Sequence, residues 1–177
     1  MTRAPKKLLS IEVPDWVPER RVCVPKSLPI VGLTSSVFIS SYHAAKDLEI
    51  LRAVGITHIL NLAPARQCPN LYVDDFTYCA IPLPDNPCTD LAGYLPEAVE
   101  FIDSAVKEGG KVLVHCLRGK SRAPTIACAY LISILTFPTD KALKLLKKKQ
   151  PFADPNFGFI SQLKTIRQDS PIAVKIA

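Results

Sequence analysis

The feature of the sequence that most constrains its fold is the stretch KVLVHCLRGKSRAP at residues 111–124. An apolar run ends at His115 and Cys116, a cationic loop follows, and a second, largely apolar run extends from Arg122 to Thr136. The first run has the length of a buried strand, and the second is long enough for a helix that is apolar on almost every side. A helix of that kind packs in the centre of a fold, so a buried strand, a tight loop and a central helix are predicted in succession.

Runs typical of strands and of helices alternate along the rest of the chain. Strand-type runs are found at residues 37–39, 56–62 and 76–83, and the helix-type runs are bounded by capping residues or glycines. The predicted helices extend from a cap at Ser41 to Gly55, from a cap at Thr89 or Asp90 to about Lys107, from Arg122 to Thr136, from a cap at Thr139 to Lys149, and onward from Pro155. This alternation predicts an α/β fold in which helices flank a central, mostly parallel sheet.

The first thirty residues differ in composition from the rest of the chain. They contain repeated prolines and the basic pairs Lys6-Lys7 and Arg20-Arg21, a composition typical of an extended or partly disordered segment. The remaining length suits one domain. We therefore expect a basic, proline-rich extension at residues 1–30, one folded domain at 31–170 and a short tail at 171–177.

Composition also bounds the compartment and the partners. No apolar stretch approaches the roughly 20 residues that span a bilayer, so no transmembrane segment is expected. The N-terminal residues lack the apolar core and cleavage site of a secretory signal, which predicts a cytoplasmic protein, with the nucleus as an additional location. The six cysteines include no C-x-x-C pair, so neither a disulfide scaffold nor a zinc site is expected. The net charge of +6 favours negatively charged partners, whether phosphoprotein, lipid or nucleic acid.

Cys116 is a candidate nucleophile because of the loop that follows it. In open α/β sheets, ligands bind at the carboxyl ends of strands, where the N-terminus of a helix offers unpaired N–H groups. Residues 117–121 can curl into an anion-binding nest of backbone amides, with Gly119 supplying the backbone freedom. Arg122 adds a planar guanidinium that suits two oxygens of a phosphate. The same positive field favours the ionised thiol, so Cys116 would be charged before a phosphate ester arrives.

The spacing of these residues resembles a known signature. His-Cys, five residues and then Arg, written here as HCLRGKSR between a strand and an apolar helix, is similar to the signature of the cysteine-dependent protein tyrosine phosphatases. The segments SVFISSYHAAKDLEILRAVGITHILNLA and PFADPNFGFISQL resemble the opening and the closing helix of the dual-specificity branch of that superfamily. The resemblance covers about residues 31–168 and implies that residues 31–170 form a dual-specificity phosphatase catalytic domain with a protein tyrosine phosphatase-like fold.

The resemblance also implies a reaction that needs neither metal nor cofactor. Cys116 would attack phosphorus to form a phosphocysteine, and Arg122 with the loop amides would bind the phosphate. The loop residues are Leu117, Arg118, Gly119, Lys120 and Ser121. In the family the leaving oxygen takes its proton from an aspartate on a movable loop about thirty residues before the cysteine, where Asp85 lies in IPLPDNP. His115 would support the loop by hydrogen bonding, although a core histidine without a catalytic role is an alternative.

Other residues near the predicted site leave alternatives open. Asp74, Asp75 and Asp90 compete with Asp85 for the acid role, and Asp90 is better explained as a helix cap. Cys88 would form a reversible disulfide with Cys116 if the two loops approach each other; a free thiol is the alternative.

The chain departs from the family pattern after the arginine and within the loop. Ala123 stands where the family commonly has Ser or Thr, whose hydroxyl stabilises the departing thiolate, so turnover would be slow unless another hydroxyl such as that of Ser121 compensates. Arg118 and Lys120 add charge where many protein-directed members have small or apolar residues. They resemble the loops of lipid-directed members, or they simply point into solvent.

We interpret the sequence as that of a protein phosphatase that hydrolyses phosphotyrosine, and also phosphoserine and phosphothreonine if its pocket is shallow. The predicted partner is a phosphorylated protein, and a nucleic acid is not the first choice. One alternative is a phosphatase for phosphoinositides, phospholipids or an RNA 5′ phosphate. The other is a weakly active, phosphate-binding scaffold. The sequence predicts no oligomeric state.

Overall fold

The computed structural model describes residues 30–166. The predicted extension at 1–30, apart from its last residue, and the predicted tail at 171–177 lie outside the described residues. The elements are β1 (Val31–Gly32), β2 (Val37–Ser41), α1 (Tyr42–Ala45), α2 (Leu48–Val54), β3 (His58–Asn61), β4 (Thr77–Ala80), α3 (Leu95–Lys107), β5 (Val112–Cys116), α4 (Arg122–Ser133), α5 (Thr139–Lys149) and α6 (Phe157–Leu163). A 3-10 turn at Leu91–Gly93 precedes α3.

The strands form one five-stranded sheet in the order β1-β2-β5-β3-β4. All neighbouring strands are parallel except β1 and β2, which are antiparallel. The register aligns Cys116 at the end of β5 with Ser41 at the end of β2, and His115 with both Ser40 and Asn61. The central strands therefore end at one edge of the sheet, which is where ligands bind in this architecture. The predicted α/β fold with a mostly parallel, helix-flanked sheet is confirmed.

The two faces of the sheet pack against different helices because side chains alternate along each strand. Val37, Ile39, Leu60, Val112 and Val114 belong to a core shared with α3, α4, α5 and α6. Phe38, Ile59 and Leu113 point the other way and pack with residues of α1 and α2. Between these layers the strands β2, β3 and β5 are buried on both sides, as expected for parallel strands.

Helix α4 is the centre of the larger layer. All twelve of its residues are buried, and it contacts α3, α5, α6, β2 and β5. The sequence predicts this position, since a helix with almost no polar face has to be covered on every side. The anion loop, residues 116–122, is therefore held between a central strand and the most deeply packed helix. Within residues 30–166, no helix combines the length and the apolar character needed to cross a bilayer.

The prediction of one continuous helix from Ser41 to Gly55 is wrong, because the structure has two. Ser41 does cap a helix, but that helix ends at Ala45, and a second one begins at Leu48. Asp47 divides them, because its backbone is extended and its carboxylate accepts a hydrogen bond from Ile50 N at 3.1 Å. The predicted stop at Gly55 is confirmed by its left-handed conformation, φ 78°.

Several other predicted boundaries are also wrong. Asp90 caps only the 3-10 turn, and α3 begins after it at Leu95. Thr139 is the first residue of α5 instead of its cap, and its hydroxyl donates to the carbonyl of Leu163. Helix α4 ends at Ser133, before Thr136, which has a positive φ of 54°. The short antiparallel strand β1 precedes the first predicted strand, at residues 37–39, and was not predicted.

Candidate active site

The anion loop curls around the sulfur of Cys116. Gly119 N–H donates to Cys116 Sγ at 3.3 Å, and Cys116 itself is only 1% exposed. Gly119 adopts φ 69°, and a Cβ at this position would lie 2.8 Å from backbone atoms of Ser40 and Ser41. Both the left-handed conformation and the close approach to β2 therefore require glycine. The backbone N–H of Gly119 therefore points at the sulfur of the predicted nucleophile.

Groups outside the anion loop bind three of its carbonyl oxygens. Tyr42 N–H donates to Leu117 O at 3.3 Å, Asp154 N–H donates to Lys120 O at 2.7 Å, and the side-chain amide of Gln150 donates to Gly119 O at 2.9 Å. These bonds turn the loop carbonyls towards the protein. A loop whose carbonyls face the protein can present its amides to an anion, as a nest does.

The nitrogens of the Arg122 guanidinium differ in their hydrogen bonding: Nη1 has partners and Nε has none within residues 30–166. Nη1 donates to the carbonyls of Leu62 and Leu83, at 3.3 and 3.4 Å, and these residues follow β3 and β4. Nε is buried and has no hydrogen-bond partner among the residues that the structure describes. A buried donor without a partner is costly unless a ligand satisfies it. The arrangement suits an oxyanion placed beside Cys116.

Asp85 reaches the anion loop from the acid loop, residues 84–90, which follows the sheet strand β4. Its Oδ1 accepts hydrogen bonds from the Ser121 hydroxyl at 2.6 Å and from the Asn156 amide at 3.1 Å. Its Oδ2 lies 3.5 Å from Arg122 Nε. That contact has the distance of an ion pair but not the geometry of a hydrogen bond. The side chain is 38% exposed, so a substrate can reach it.

Two of the competing aspartates are engaged elsewhere. Asp75 forms an ion pair with Arg52 at 2.6 Å, and Asp90 accepts from Ala92 N–H at 2.9 Å. Asp85, by contrast, accepts a hydrogen bond from Ser121 of the anion loop. Its placement agrees with the predicted acid position, and its catalytic role stays a prediction.

His115 is a buried neutral residue behind the loop. Its ring stacks on Tyr42 with centroids 5.9 Å apart, and the residue is 2% exposed. Burial lowers the pKa of His115 to about 4, and an electrostatic interaction with the Cys116 backbone opposes this shift. Its Nδ1 is buried and has no hydrogen-bond partner within residues 30–166. A histidine in this state is uncharged at neutral pH. It supports the end of β5 through packing. Because it is uncharged, the positive charge near Cys116 comes from the loop amides and from Arg122.

Three of the other described cysteines have raised pKa values. All five described cysteines are free thiols. Burial raises the pKa of Cys68, although the guanidinium of Arg122 opposes the shift. Burial raises the pKa of Cys128 to about 12, and burial together with Glu97 raises that of Cys79 to about 11. Within residues 30–166, no cluster of His, Cys, Asp and Glu is arranged to hold a metal ion.

A cavity of about 270 Å³ opens above the anion loop. It is lined by Asp85, Leu117, Arg118, Lys120, Ser121 and Arg122. Arg118 and Lys120 are exposed, whereas Ala123 is completely buried. The hydroxyl of Ser121 is already engaged with Asp85 and Asn156. The structure thus gives no hydrogen bond from Ser121 to Cys116 that would replace the hydroxyl absent at Ala123.

Sequence reasoning missed two polar residues of the site. Gln150 holds the Gly119 carbonyl and Asn156 contacts Asp85, yet both lie far along the chain from the residues that they bind. The signal for Asn156 was present in PFADPNFGFISQL, since asparagine is a strong helix N-cap, but its second partner depends on tertiary packing.

Comparison with known proteins agrees with this fold. Residues 37–169 match the family model described as dual specificity phosphatase, catalytic domain. The chain is 37% identical over 141 residues to Dual specificity protein phosphatase 1 of Arabidopsis thaliana, covering 80% of this chain and 70% of the relative. It is 39% identical over 133 residues to Dual specificity protein phosphatase 2 of Mus musculus, covering 75% of this chain but only 41% of that relative.

A similar solved structure is that of a mouse putative dual specificity phosphatase complexed with zinc tungstate. It superimposes with a TM-score of 0.74 and 31% sequence identity, and the match covers 81% of this chain and 89% of that chain.

Proposed function

The chain belongs to the dual-specificity phosphatase family, and we propose that Cys116, Arg122 and Asp85 carry its reaction. Proteins of this family are cysteine-based hydrolases that act through a phosphocysteine, and protein phosphatase activity follows for this chain. The observation that best supports the proposed residues is that the acid loop and the anion loop meet. The carboxylate of Asp85 lies 3.5 Å from Arg122 Nε, and Gly119 N–H lies 3.3 Å from Cys116 Sγ.

In the first step the Cys116 thiolate attacks phosphorus in line with the bond to the leaving oxygen. The S–P bond forms and the P–O bond breaks, while Arg122 Nε and the loop amides stabilise the equatorial oxygens. Asp85 donates its proton to the leaving oxygen, which departs as an alcohol or phenol. The products of this step are a phosphocysteine and an ionised Asp85.

In the second step a water molecule attacks the phosphocysteine. Asp85 accepts a proton from that water as the P–O bond forms, and the S–P bond breaks to release phosphate and restore the Cys116 thiolate. Ala123 gives the departing sulfur no hydroxyl donor. Hydrolysis of the intermediate is therefore proposed to limit turnover.

Phosphorylated proteins are the substrate class that the family implies. Within that class we propose phosphotyrosine as the better substrate and phosphoserine and phosphothreonine as further ones. An aryl phosphate extends its phosphate farther from the peptide backbone, so it reaches Cys116, 1% exposed, more easily than an alkyl phosphate does. The exposed cations Arg118 and Lys120 beside the cavity suit a substrate that carries additional negative charge.

Two variants test the proposed residues. Cys116→Ser removes the thiolate, so hydrolysis of every phosphate ester should be lost; activity that survives would sink the covalent mechanism. Asp85→Ala should lose about 10²- to 10⁴-fold in kcat/KM on phosphotyrosine peptides and much less on an aryl phosphate with a strongly acidic phenol. Equal losses on both substrates would remove Asp85 from the acid role. Assays on phosphoinositides and on RNA with a 5′ phosphate, run beside the peptides, check the substrate class.

A further inference from the structure

Asn156 has no part in the reaction described above, yet its side chain contacts the proposed acid. It precedes α6 and is the N-cap of that helix, and its Oδ1 accepts the Phe159 N–H at 2.9 Å. A backbone N–H can only donate, so this bond fixes which end of the side-chain amide faces the helix. The NH₂ end must then face outwards, where it meets Asp85 Oδ1 at 3.1 Å. The helix cap thus orients a donor at the proposed acid.

The hydroxyl of Ser121 is oriented by the same residue. Asn156 N–H lies 3.3 Å from Ser121 Oγ and occupies one of the oxygen lone pairs. The hydroxyl proton is then free to point to Asp85 Oδ1, which lies 2.6 Å away. Asn156 therefore contributes to both hydrogen bonds that Oδ1 accepts, directly through its side chain and indirectly through its backbone.

The two oxygens of Asp85 consequently have different surroundings. Oδ1 accepts two hydrogen bonds, and a proton on that oxygen would compete with the two donors already there. Oδ2 accepts no hydrogen bond within residues 30–166 and faces Arg122 Nε at 3.5 Å. When a phosphate group takes the Arg122 contact, Oδ2 is the oxygen left beside the ester.

We propose that Asn156 is a positioning residue for the general acid. Together with Ser121 it commits Oδ1 of Asp85 to accepting hydrogen bonds, so that Oδ2 carries the proton that goes to the leaving oxygen. This inference rests on the proposed acid role of Asp85. In the transfer, the O–H bond at Oδ2 breaks and the proton joins the departing oxygen, while the carboxylate that forms keeps both of its donors on Oδ1.

The rest of α6 supports this assignment because it holds the part of the acid loop that follows Asp85. Gly158 lies directly against the backbone of Pro87. The side chain of Gln162 donates to Thr89 O at 2.9 Å and accepts from Leu91 N–H at 2.8 Å. Because the loop is fixed in this way, the hydrogen bonds to Asp85 decide which of its two oxygens carries the proton.

The test measures kcat/KM for a series of aryl phosphates whose phenols range from strongly to weakly acidic. The variant is Asn156→Ser, since serine is also a strong N-cap but is too short to donate to Asp85. We expect about a tenfold loss on the least acidic phenol, the scale of a modest misplacement of a catalytic group, and almost no loss on the most acidic one. Asp47→Ser, which makes the same kind of cap change on α2, should leave the whole series unchanged.

Two further variants make the outcome unambiguous. Adding Asn156→Ser to Asp85→Ala should cause no additional loss, because the residue acts only through the carboxylate. Asn156→Asp keeps the cap and the side-chain shape but places an acceptor opposite Oδ1, so it should give a steeper dependence on the leaving group than Asn156→Ser. It also provides the measurement if the serine variant is unstable.

The possible results separate the inference from the function on which it rests. An equal loss over the whole series, or no loss at all, would mean that Asn156 only shapes the fold, and the inference would be overturned. If Asp85→Ala itself shows no dependence on the leaving group, the acid assignment fails first. If Asp85→Ala shows that dependence and neither Asn156 variant does, the acid stands and the positioning role falls.

Discussion

Gly158 of α6 lies directly against the backbone of Pro87: a Cβ built on Gly158 would overlap the Pro87 carbonyl. Backbone cannot move aside as a flexible side chain can, so the close approach fixes the distance between α6 and the acid loop. The position of Asp85 therefore depends on a residue that carries no functional group.

The first prediction concerns this contact. Gly158→Ala should push α6 and the acid loop apart, lowering the free energy of unfolding by about 1–3 kcal/mol, as overpacking does. It should also lower kcat/KM on phosphotyrosine peptides at least tenfold, since small displacements of catalytic groups are costly. Gly93→Ala is the matched control, because nothing lies within 4 Å of a Cβ at that exposed position. Urea unfolding and peptide assays on both variants check the prediction; equal behaviour of the two variants would contradict it.

The second prediction concerns pH and His115. Its pKa falls from the ordinary 6.5 to about 4 on folding because the ring is buried. Between these values the unfolded chain binds a proton that the folded chain does not, so stability is fully present above pH 6.5 and is lost as the pH falls towards 4. The slope from this one group reaches at most about 1.4 kcal/mol per pH unit. Urea unfolding at pH 7 and pH 4.5 should show a smaller difference for His115→Gln than for the parent protein; an unchanged difference would rule out this contribution.

The third prediction concerns the breakdown of the phosphocysteine. Ala123→Ser should raise kcat about tenfold with little change in kcat/KM, because a hydrogen bond to a charged group is worth roughly 1.5 kcal/mol or more and the departing thiolate is charged. Ala127→Ser, one turn further along the buried helix, controls for the cost of burying a hydroxyl. Steady-state rates and the size of the initial product burst provide the measurement. A burst that persists unchanged in Ala123→Ser would show that this position does not limit turnover.

The fourth prediction concerns thiol reactivity. The pKa values of about 12 for Cys128 and about 11 for Cys79 leave almost no thiolate at neutral pH, so both should resist iodoacetamide in the folded protein. Cys88 is exposed and should be alkylated. Peptide mass spectrometry before and after unfolding in urea compares the sites within one sample. Labelling of Cys128 as fast as Cys88 in the folded state would contradict the buried environment that raises its pKa.

The sequence predicts most of what lies close together along the chain. Strand β5, the anion loop and α4 follow one another without interruption, so the pattern of residues 111–136 is enough to place Cys116 and Arg122 at the end of a central strand. The family resemblance adds Asp85, which the chain brings to the same loop. The domain bounds, the cytoplasmic location and the role of each site residue stay predictions.

What the sequence does not predict depends on how distant elements dock. Asn156 reads as an ordinary helix cap, and only the packing of α6 against the acid loop gives its amide a second partner. Asp47 fits a helix surface as well as a cap, and the structure uses it as the cap that starts α2. Local patterns cannot distinguish these uses, because the competing choices differ in tertiary contacts and not in sequence.

Because α4 is completely buried, the two sides of the proposed active site should differ in the free energy at which they unfold. Amide protons in the most deeply packed helix exchange with solvent only through global unfolding, whereas those of irregular segments exchange through local openings of much lower free energy. Deuterium should therefore enter the segment around Asp85 long before it enters the helix that follows Arg122. At low denaturant concentration, Asp85 should therefore move away from Cys116 while the anion loop around the sulfur is still folded.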